Sequence, residues 1–432
     1  MLSEGGMLLQ PPRGTRDWLP EEAYVKRVVC ERIRKVFESY GYGEVITPAF
    51  EYLDLLKAKA GEEVVKQIYC FKDKAGRELG LRFEMTTPIA RIVASKPDLA
   101  KPIRFYYIQP VWRYEEPQKG RLREFWQAGI ELFGVAEPEG DAEVVAATHD
   151  ALLESGLEGF YISVNDRRVV EDILITSGVA PEKLSDALRI LDKLDKFGEA
   201  YVVEEFERIG VPREKSSELL GKLKESSIDL ELSTPSGRQG LDHLSRVVEY
   251  LKNIYGIAVD VDYSIVRGLG YYTGFVFEVK LKKYGDIGSI AGGGRYDDLV
   301  SSLGGPRLPA TGMAIGIDRL LEALQLQGQP KTGYSEVDVY IVPVAKSQGA
   351  AARAVEIARM LRAGGLKVVV DITRRSLSKS LEYASKKGSR FAIVIGEREI
   401  LDNTLTVRDM NKWKEYKLDV EKALGMLISS KR

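Results

Sequence analysis

The spacing of apolar residues divides the chain into helix-like and strand-like segments. Residues 21–40 predict a helix, because apolar residues recur there at the spacing of one helical face, namely Val25, Val28, Val29, Ile33, Val36 and Phe37. Pro20 suits the first turn of that helix. Short apolar runs predict strands at 44–48, 79–83, 103–110, 123–133, 261–265, 273–281 and 287–292, followed by a helix at 313–325.

The pattern changes twice along the chain. From about 166 to 240 it becomes charged and amphipathic without strand signals, which predicts a helical insertion. Residues 328–333 have loop composition, and beyond them apolar strands alternate with helices. The sequence therefore predicts one domain over residues 1–330, including the insertion, and a small mixed α/β domain over residues 335–432.

Charge is distributed unevenly between these two parts. The whole chain has a net charge of −1, but residues 331–432 contain 20 Lys and Arg against 12 Asp and Glu. That local net charge of +8 leaves −9 for the first 330 residues. A basic module suits a polyanion such as nucleic acid, and a solvated basic surface explains the charge equally well.

Other bulk features narrow the class of protein. No apolar run approaches the roughly 20 residues of a membrane helix, and the N-terminal residues lack a signal-peptide pattern, so we expect a cytoplasmic protein. Cys30 and Cys70 form no CxxC pair and are expected to be buried thiols rather than metal ligands.

An arginine-rich segment at 113–127 indicates an anion site. It contains three arginines and three glutamates around the turn at residues 117–120. Arg113, Arg121 and Arg123 flank this turn, where two strands could converge on one anion together with Glu115. Guanidinium groups match phosphate oxygens in pairs, and Phe125 offers a flat face for adenine. A nucleoside triphosphate is therefore the expected ligand, with a surface salt-bridge ladder as the alternative.

Three further clusters are glycine-rich. Residues 266–278 combine glycines with Arg267 and two adjacent tyrosines, which in a strand would point to opposite faces. A plain aromatic strand explains this cluster equally well when it is taken alone. Residues 290–298 lack the spacing of a known phosphate loop. Residues 312–320 predict a strand-to-helix turn that aims Arg319 into a site.

These segments, in this order, resemble class II aminoacyl-tRNA synthetases and, within them, the histidyl-tRNA synthetases. Similar segments include 13–20, the stretch 41–51 that resembles the dimer-forming motif, 81–86, 113–131 and 312–320. The resemblance covers nearly the whole chain except the helical insertion. It implies an α+β fold, in which an antiparallel sheet is flanked by helices, with a helical insertion and a C-terminal α/β anticodon-binding domain.

The resemblance also implies a histidine pocket. Glu84 and Thr86 would bind the amino-group side of histidine, and Gln127 and Glu131 would complete that side. A protonated amine needs carboxylates, and an imidazole needs a partner for each ring nitrogen. The imidazole side is assigned to Tyr271 and Tyr272.

The resemblance implies an ATP site as well. Arg113 would hold the α-phosphate, Arg121 the γ-phosphate end and Arg319 the triphosphate from the opposite side, with Mg²⁺ bridging the phosphates. Glu115 and Phe125 are assigned to the same site, with Phe125 under adenine. Arg267 and Arg113 would be catalytic, since positioning and charge neutralisation dominate phosphoryl chemistry. The implied partners are tRNA(His), histidine, ATP and a second copy of the chain, and no protein metal site is expected.

Two positions depart from the family pattern. Gly270 stands where an acidic residue is common, and Trp126 stands where His or Tyr is common, so both affect the expected details of the histidine pocket. His149 and His243 are expected to be structural residues on helices. The alternatives are a noncatalytic histidine-sensing paralogue that regulates an ATP phosphoribosyltransferase, and a class II synthetase for another amino acid. The four arginines and the C-terminal part argue against the first, and the paired tyrosines argue against the second.

Overall fold

The computed structural model describes residues 9–58, 62–116, 121–223, 230–267, 270–330, 337–344 and 348–430. The chain splits between Lys331 and Thr332 into an N-terminal unit and a C-terminal unit. Part of the predicted linker, residues 331–333, lies outside the described residues.

The described strands of the N-terminal unit form a large sheet and a small sheet. Their bounds are β1 Gly43–Glu44, β2 Phe50–Tyr52, β3 Cys70–Lys72, β4 Glu78–Leu81, β5 Ile103–Trp112, β6 Glu124–Phe133, β7 Phe160–Asp166, β8 Asp260–Val261, β9 Phe275–Leu281, β10 Ala291–Arg295 and β11 Ala310–Gly316. The large sheet has the order β1-β5-β6-β11-β10-β9-β7-β8, and the small sheet has the order β2-β4-β3.

The large sheet is antiparallel throughout its centre. β5, β6, β11, β10, β9 and β7 pair antiparallel with their neighbours, and only the short outer strands β1 and β8 pair parallel. The register places Gln127 opposite both Gln109 and Gly316, in the centre of the sheet. The predicted antiparallel sheet flanked by helices is confirmed.

The helices of the N-terminal unit cover the large sheet and fill the segment between β7 and β8. Their bounds are α1 Pro20–Ser39, α2 Leu53–Lys57, α3 Glu62–Val65, α4 Thr86–Ser95, α5 Pro138–Ser155, α6 Arg167–Thr176, α7 Leu184–Leu191, α8 Leu194–Arg208, α9 Arg213–Leu223, α10 Pro235–Tyr250, α11 Leu299–Ser302 and α12 Ile317–Leu326. In the predicted face of α1, Val29, Ile33 and Phe37 are fully buried in the main core, whereas Val25, Val28 and Val36 are only partly buried.

The segment between β7 and β8 is helical in its described part, from α6 to α10. Its helices present apolar faces to the core that they share with α5 and the large sheet, with Val170, Leu188, Phe206, Leu219 and Leu244 all buried. Asp166 begins this segment by accepting a hydrogen bond from the backbone N–H of Arg168, at the start of α6.

Some predicted boundaries were wrong. The strand expected at 44–48 is paired only at Gly43–Glu44, and the helix expected from 313 begins at Ile317, because residues 310–316 form β11. β11 is paired along both edges, with β6 and β10. An apolar run with small residues fits either a strand or a helix, so tertiary pairing decided the outcome.

The C-terminal unit is a mixed sheet with helices. Its described elements are β12 Val339–Pro343, α13 Gln348–Ala363, β13 Val368–Val370, α14 Leu377–Lys386, β14 Phe391–Ile395, α15 Glu397–Leu401, β15 Thr404–Asp409, β16 Lys414–Asp419 and α16 Val420–Ser429. The sheet order is β13-β12-β14-β15-β16, with parallel pairing around β12 and antiparallel pairing beyond β14.

Successive side chains of β12 face different cores, as strand alternation requires. Val339 and Ile341 pack in the cluster that contains α13 and α16. Tyr340 and Val342 pack in a separate cluster with Ala384 of α14. The predicted mixed α/β arrangement of this region is confirmed.

Candidate active site

A cavity opens at the centre of the large sheet, where β6, β11 and β10 are consecutive strands. The predicted residues that line it are Glu84, Thr86, Arg113, Gln127, Arg267, Tyr271 and Tyr272. Tyr107, Tyr296, Gly292 and Gly312 complete much of the wall. Residues more than 180 positions apart in the sequence, such as Glu84 and Arg267, therefore line the same cavity.

The Glu84 carboxylate fixes the start of α4. One oxygen accepts a 2.7 Å hydrogen bond from the backbone N–H of Thr86, and the other accepts a 2.9 Å bond from that of Thr87. These are N–H groups of the first helical turn, which have no partner within the helix. Burial raises the pKa of Glu84, although these bonds and Arg113 oppose that rise. Glu84 is consequently rigid at the edge of the cavity.

Glu131 lies directly behind the cavity wall. Its Oε1 accepts a 2.7 Å bond from the Thr86 hydroxyl, and its other carboxylate oxygen accepts a bond from the Tyr296 hydroxyl. Burial raises the pKa of Glu131 to about 8 in spite of these two donors. Glu131 therefore holds two lining hydroxyls in place, and with this pKa it carries a proton in most of the molecules at neutral pH.

Gln127 contributes an unsatisfied acceptor to the cavity. Its buried Oε1 has no hydrogen-bond partner among the described residues. An orphaned buried amide oxygen is costly unless a ligand N–H reaches it. The position of Gln127 is therefore suited to a ligand that donates hydrogen bonds, such as an amine.

The paired tyrosines form a wall rather than two faces of a strand. Tyr271 and Tyr272 lie in a turn before β9, and their ring centroids are 4.9 Å apart, so the prediction that they point to opposite faces was wrong. Tyr271 also meets Tyr296 edge-on, with 5.7 Å between ring centroids. Burial raises the pKa of all three phenols, so they remain protonated hydrogen-bond donors.

Two glycines make room for side chains of the site. A Cβ on Gly312 would lie 2.0 Å from the Glu131 carboxylate, and a Cβ on Gly292 would lie 2.7 Å from the Arg267 guanidinium. Both distances are far below van der Waals contact. The small residues of β10 and β11 are thus required for the side chains of the pocket to fit.

Arginine side chains are concentrated at and near the cavity, where Arg113 and Arg267 line the wall and Arg319 lies close enough to feel their charges. Burial and the nearby charges of Arg121 and Arg113 lower the pKa of Arg319 to about 10. Burial also lowers the pKa of Arg113, whose Nε donates a 2.9 Å bond to the carbonyl of Phe83. Mutually repelling guanidinium groups favour an anion between them.

Arg267 also lines the cavity, and its backbone is in a left-handed conformation with φ at 58°. Its Nη1 donates a 2.5 Å bond to Glu278, which also pairs with Lys280 at 3.2 Å. Burial opposes the charge of Arg267, but Glu278 and Tyr272 more than compensate, so the pKa of its guanidinium is raised. Gly268 and Leu269, from the same predicted cluster, lie outside the described residues.

The remaining predicted ATP residues lie near the end of β5 and the start of β6. Arg121 and Glu115 form a loose ion pair at 3.5 Å, and Arg121 is partly exposed. The guanidinium of Arg113 lies 5.2 Å from the centre of the Phe125 ring, so it contacts one face of that ring. The turn predicted at 117–120, between these residues, lies outside the described residues.

The two departures from the family pattern lie in different surroundings. The backbone N–H of Trp126 donates a 2.7 Å bond to Asp318, and the Trp126 ring packs under Lys26 at 3.6 Å. Strand alternation turns Trp126 away from the face that carries Gln127. Gly270 lies in the turn that precedes the tyrosines.

The two histidines have structural partners outside the cavity, as expected. His243 on α10 contacts Asp141 at 2.7 Å, and Asp141 also accepts a 2.7 Å bond from Arg295. His149 on α5 packs edge-on against Phe160 with ring centroids 5.6 Å apart.

The cysteines are only partly as expected. Cys30 is half-buried, whereas Cys70 is exposed on β3, so the expectation that both thiols are buried was wrong for Cys70. β3 is the outermost strand of a three-stranded sheet, which leaves its side chains accessible.

Sequence reasoning missed Tyr107 and Tyr296 as lining residues. The segment 290–298 was judged a weak phosphate loop, whereas its glycines form β10 and it delivers Tyr296 to Glu131. The alternation of small residues in both β10 and β11 was the available signal, because two adjacent glycine-rich strands leave space for a ligand.

None of the helices in the described ranges is both long enough and apolar enough to span a bilayer. The same ranges contain no group of three or more His, Cys, Asp or Glu side chains arranged to hold a metal ion.

Family models match both units of the chain. A model described as histidyl-tRNA synthetase matches residues 14–320, and a model described as an anticodon binding domain matches residues 338–430. The first match includes every predicted site residue, from Glu84 to Arg319. These matches identify the fold as that of a synthetase that joins an amino acid to tRNA.

Individual relatives agree with the models. A histidine–tRNA ligase from Pyrobaculum neutrophilum is 41% identical over 95% of this chain and 97% of its own. A histidyl-tRNA synthetase structure from Nostoc is 25% identical, with a TM-score of 0.79 over 98% of this chain and 99% of that one. The chain belongs to the histidyl-tRNA synthetase family.

One structural neighbour bears on the regulatory alternative. A Bacillus halodurans structure described as an ATP phosphoribosyltransferase regulatory subunit/histidyl-tRNA synthetase has a TM-score of 0.76 and 28% identity, covering 90% of this chain and 98% of that one. Full-length relatives named as ligases, together with the anticodon-binding match, do not favour the regulatory alternative.

Proposed function

We propose that the chain is a histidine–tRNA ligase. It activates histidine with ATP to give histidyl-adenylate and pyrophosphate, and then transfers histidine to the 3′ end of tRNA(His) with release of AMP. The observation that carries this proposal is a cavity lined by Gln127, whose buried oxygen has no partner among the described residues, by the paired tyrosines, and by the buried Arg113 and Arg267.

Histidine occupies the part of the cavity bounded by β6 and the tyrosines. Glu84, Thr86 and Gln127 bind the amino-group side, where Gln127 Oε1 needs a donor. Glu131 completes that side by holding the Thr86 hydroxyl. Tyr271 and Tyr272 line the imidazole side with phenols that stay protonated. A pocket of hydrogen-bonding groups can reject analogues without such groups by roughly 10⁴-fold or more.

ATP occupies the positive side of the cavity. Arg113 holds the α-phosphate, while Arg121 and Arg319 hold the remaining phosphates from two sides. The lowered pKa of Arg319 supports this arrangement, because it reflects repulsion by the nearby charges of Arg121 and Arg113. Adenine lies against Phe125, and Glu115 orients Arg121 through their ion pair. Mg²⁺ enters with the nucleotide as part of the substrate.

Catalysis rests on charge neutralisation rather than on a protein nucleophile. The histidine carboxylate attacks the α-phosphorus in line and expels pyrophosphate. Arg113 and Arg267 approach the α-phosphate from opposite walls and stabilise the charge that develops there. The pairing of Arg267 with Glu278 keeps its guanidinium charged and in one orientation. A terminal ribose hydroxyl of tRNA then attacks the adenylate carbonyl.

The two units divide this work. Residues 1–330 form the catalytic domain, with a helical insertion at about 166–240, and residues 335–432 bind the anticodon part of tRNA(His). The net charge of +8 over residues 331–432 supports contact with a polyanion. The protein acts in the cytoplasm, where charged tRNA is used.

The chain assembles as a homodimer. The support is an exposed apolar face around β2, formed by Ile46, Phe50, Tyr52 and Phe71, each between 42% and 77% exposed. Exposed apolar patches of this kind mark interaction sites. Sedimentation should give about twice the monomer mass, and Phe50→Asp should shift the equilibrium towards monomer; a monomeric wild-type chain would exclude the dimer.

The proposed activity is tested by charging. Purified protein with ATP, Mg²⁺ and labelled histidine should transfer label to a tRNA(His) transcript and not to a transcript of another tRNA. Adenylate formation without transfer would limit the activity to the first step. Absence of both steps in a folded protein would contradict the proposal.

A further inference from the structure

A buried arginine, Arg82, lies outside the cavity wall but two residues before Glu84. Its side chain is buried, with only 3% of the residue exposed. Nη1 donates to the carbonyls of Thr47 (2.7 Å) and Pro48 (3.0 Å) and to the side-chain oxygen of Gln109 (3.0 Å). Nε donates a 3.0 Å bond to the carbonyl of Pro110. Arg82 thus joins the segment before β2 to the end of β5.

The acceptors of these hydrogen bonds are neutral oxygens. Burial lowers the pKa of Arg82 to about 10, and Glu51 offsets this only partly. Glu51 is itself engaged by Arg91 at 2.7 Å. A buried cation without a directly bound carboxylate is expensive to desolvate, so charge pairing does not explain its position. The position of Arg82 is explained instead by its planar guanidinium group, which donates hydrogen bonds to two separate segments at once.

The backbone around Arg82 continues this connection towards the cavity. The N–H of Arg82 donates to Ala49 at 3.1 Å, and its carbonyl accepts from Trp112 at 3.0 Å. The next carbonyl, that of Phe83, accepts the 2.9 Å bond from Arg113. Glu84 then caps α4. Three consecutive residues therefore join the 47–49 segment to an arginine and a carboxylate of the site.

We propose that Arg82 is a positioning residue for adenylation. Its guanidinium locks the 82–84 segment between 47–49 and β5, and this fixes the Phe83 carbonyl under Arg113 and the Glu84 carboxylate at the start of α4. Arg82 touches neither substrate. The inference rests on the proposed function, because the roles of Arg113 and Glu84 in binding ATP and histidine come from it.

Two substitutions of Arg82 separate the effect of its hydrogen-bonding geometry from the effect of its charge. Arg82→Lys keeps the charge but cannot reach both segments with a fork, and Arg82→Gln removes the charge. Both should lower kcat for histidine-dependent ATP–pyrophosphate exchange by roughly 10- to 100-fold, since small misplacements of reacting groups have effects of this size. The KM for histidine should change by less than about 3-fold, because most pocket contacts come from other strands.

Arg91→Gln is the matched control. It removes a half-buried arginine that is bonded to Glu51 in the same region, without touching residues 47–48 or β5. Its exchange kcat should stay within about 2-fold of the wild type. If both Arg82 variants keep the kcat of the wild type, the positioning role is wrong. It is also wrong if Arg82→Lys keeps that kcat while Arg82→Gln loses it, because the charge alone would then be sufficient.

Amide hydrogen exchange of the unliganded protein separates this inference from the proposed function. The amides of Thr86 and Thr87 should exchange faster in Arg82→Lys than in the wild type or Arg91→Gln, because the Glu84 cap has loosened. Unchanged exchange at these amides would overturn the inference even if the enzyme is active. Conversely, a wild type without histidine-dependent activity would refute the proposed function, while faster exchange at these amides would still support the Arg82 connection.

Discussion

The N-terminal and C-terminal units use positive charge in different ways. The first 330 residues are acidic overall, with a net charge of −9, yet the N-terminal unit buries Arg113 and Arg267 in one cavity wall and Arg319 near them. The C-terminal unit carries its excess of basic residues on the surface, where pairs such as Lys417 with Asp402 are about half exposed. Buried guanidinium groups can orient one small anion, whereas exposed ones attract a polyanion over a distance.

The difference predicts that substitutions in the two units should affect different steps. Loss of a buried arginine should damage adenylation, in which the charge acts at a fixed distance. Changes in ionic strength should mainly affect tRNA binding, because exposed charges are screened and buried charges much less so.

Arg267→Ala should have the largest effect. It removes the charge proposed to act at the α-phosphate and leaves Glu278 buried with Lys280 alone as its paired cation. We expect kcat for pyrophosphate exchange to fall roughly 10²- to 10³-fold, the size found when a preorganised donor is removed. The KM for histidine should change little. Unchanged turnover in single-turnover measurements would show that the buried charge is not catalytic.

Added salt should sharpen the comparison. Raising KCl from 50 to 200 mM should increase the KM for tRNA in aminoacylation by about 10-fold or more, because exposed Lys and Arg release counterions from phosphates. The KM for ATP in pyrophosphate exchange should rise by less than about 3-fold, since Arg113 and Arg319 of its proposed site are buried. Equal salt dependence of the two constants would remove the distinction between the units.

Gln127→Met tests the unpartnered acceptor of the cavity. The histidine dissociation constant should rise about 10-fold or more, the value of a hydrogen bond to a charged amine. The unliganded protein should keep its stability or gain up to about 1 kcal/mol, because a buried unsatisfied oxygen is removed. Calorimetry measures both quantities. A destabilised protein with unchanged affinity would show that Gln127 serves the fold instead.

The smallest expected effect concerns Glu131 and pH. Its pKa in the folded protein is about 8, above the ordinary value of 4.5, so the folded state binds a proton that the unfolded state has released. The stabilisation from this group is therefore fully present below about pH 4.5, and it is lost as the pH rises from there through about 8. Glu131→Gln should flatten the dependence of the melting temperature on pH in that range. Parallel curves for the variant and the wild type would contradict the raised pKa.

Much of the fold was predictable because local pattern and tertiary context agree. The helix at Pro20–Ser39 buries the predicted apolar face, and β5 and β6 occupy the predicted runs. β11 was mistaken in part for a helix, since its strand state comes from pairing with β6 and β10 rather than from its own residues.

The candidate site was predictable as a set of residues but not as a geometry. The arginines and Gln127 could be named from their motifs. The bond between Tyr296 and Glu131 joins residues 165 positions apart, and it depends on Gly312 leaving room for the carboxylate. The orphaned oxygen of Gln127 and the raised pKa of Glu131 follow from burial, which a linear sequence does not contain.

The most direct test of the central claim is amino-acid-dependent ATP–pyrophosphate exchange across the twenty standard amino acids. Histidine should support rapid exchange, and no other amino acid should reach about one hundredth of that rate at equal concentration, as expected for a pocket that hydrogen-bonds its ligand. Comparable exchange with a different amino acid would contradict the assigned specificity, and no exchange with any amino acid would contradict the assigned reaction.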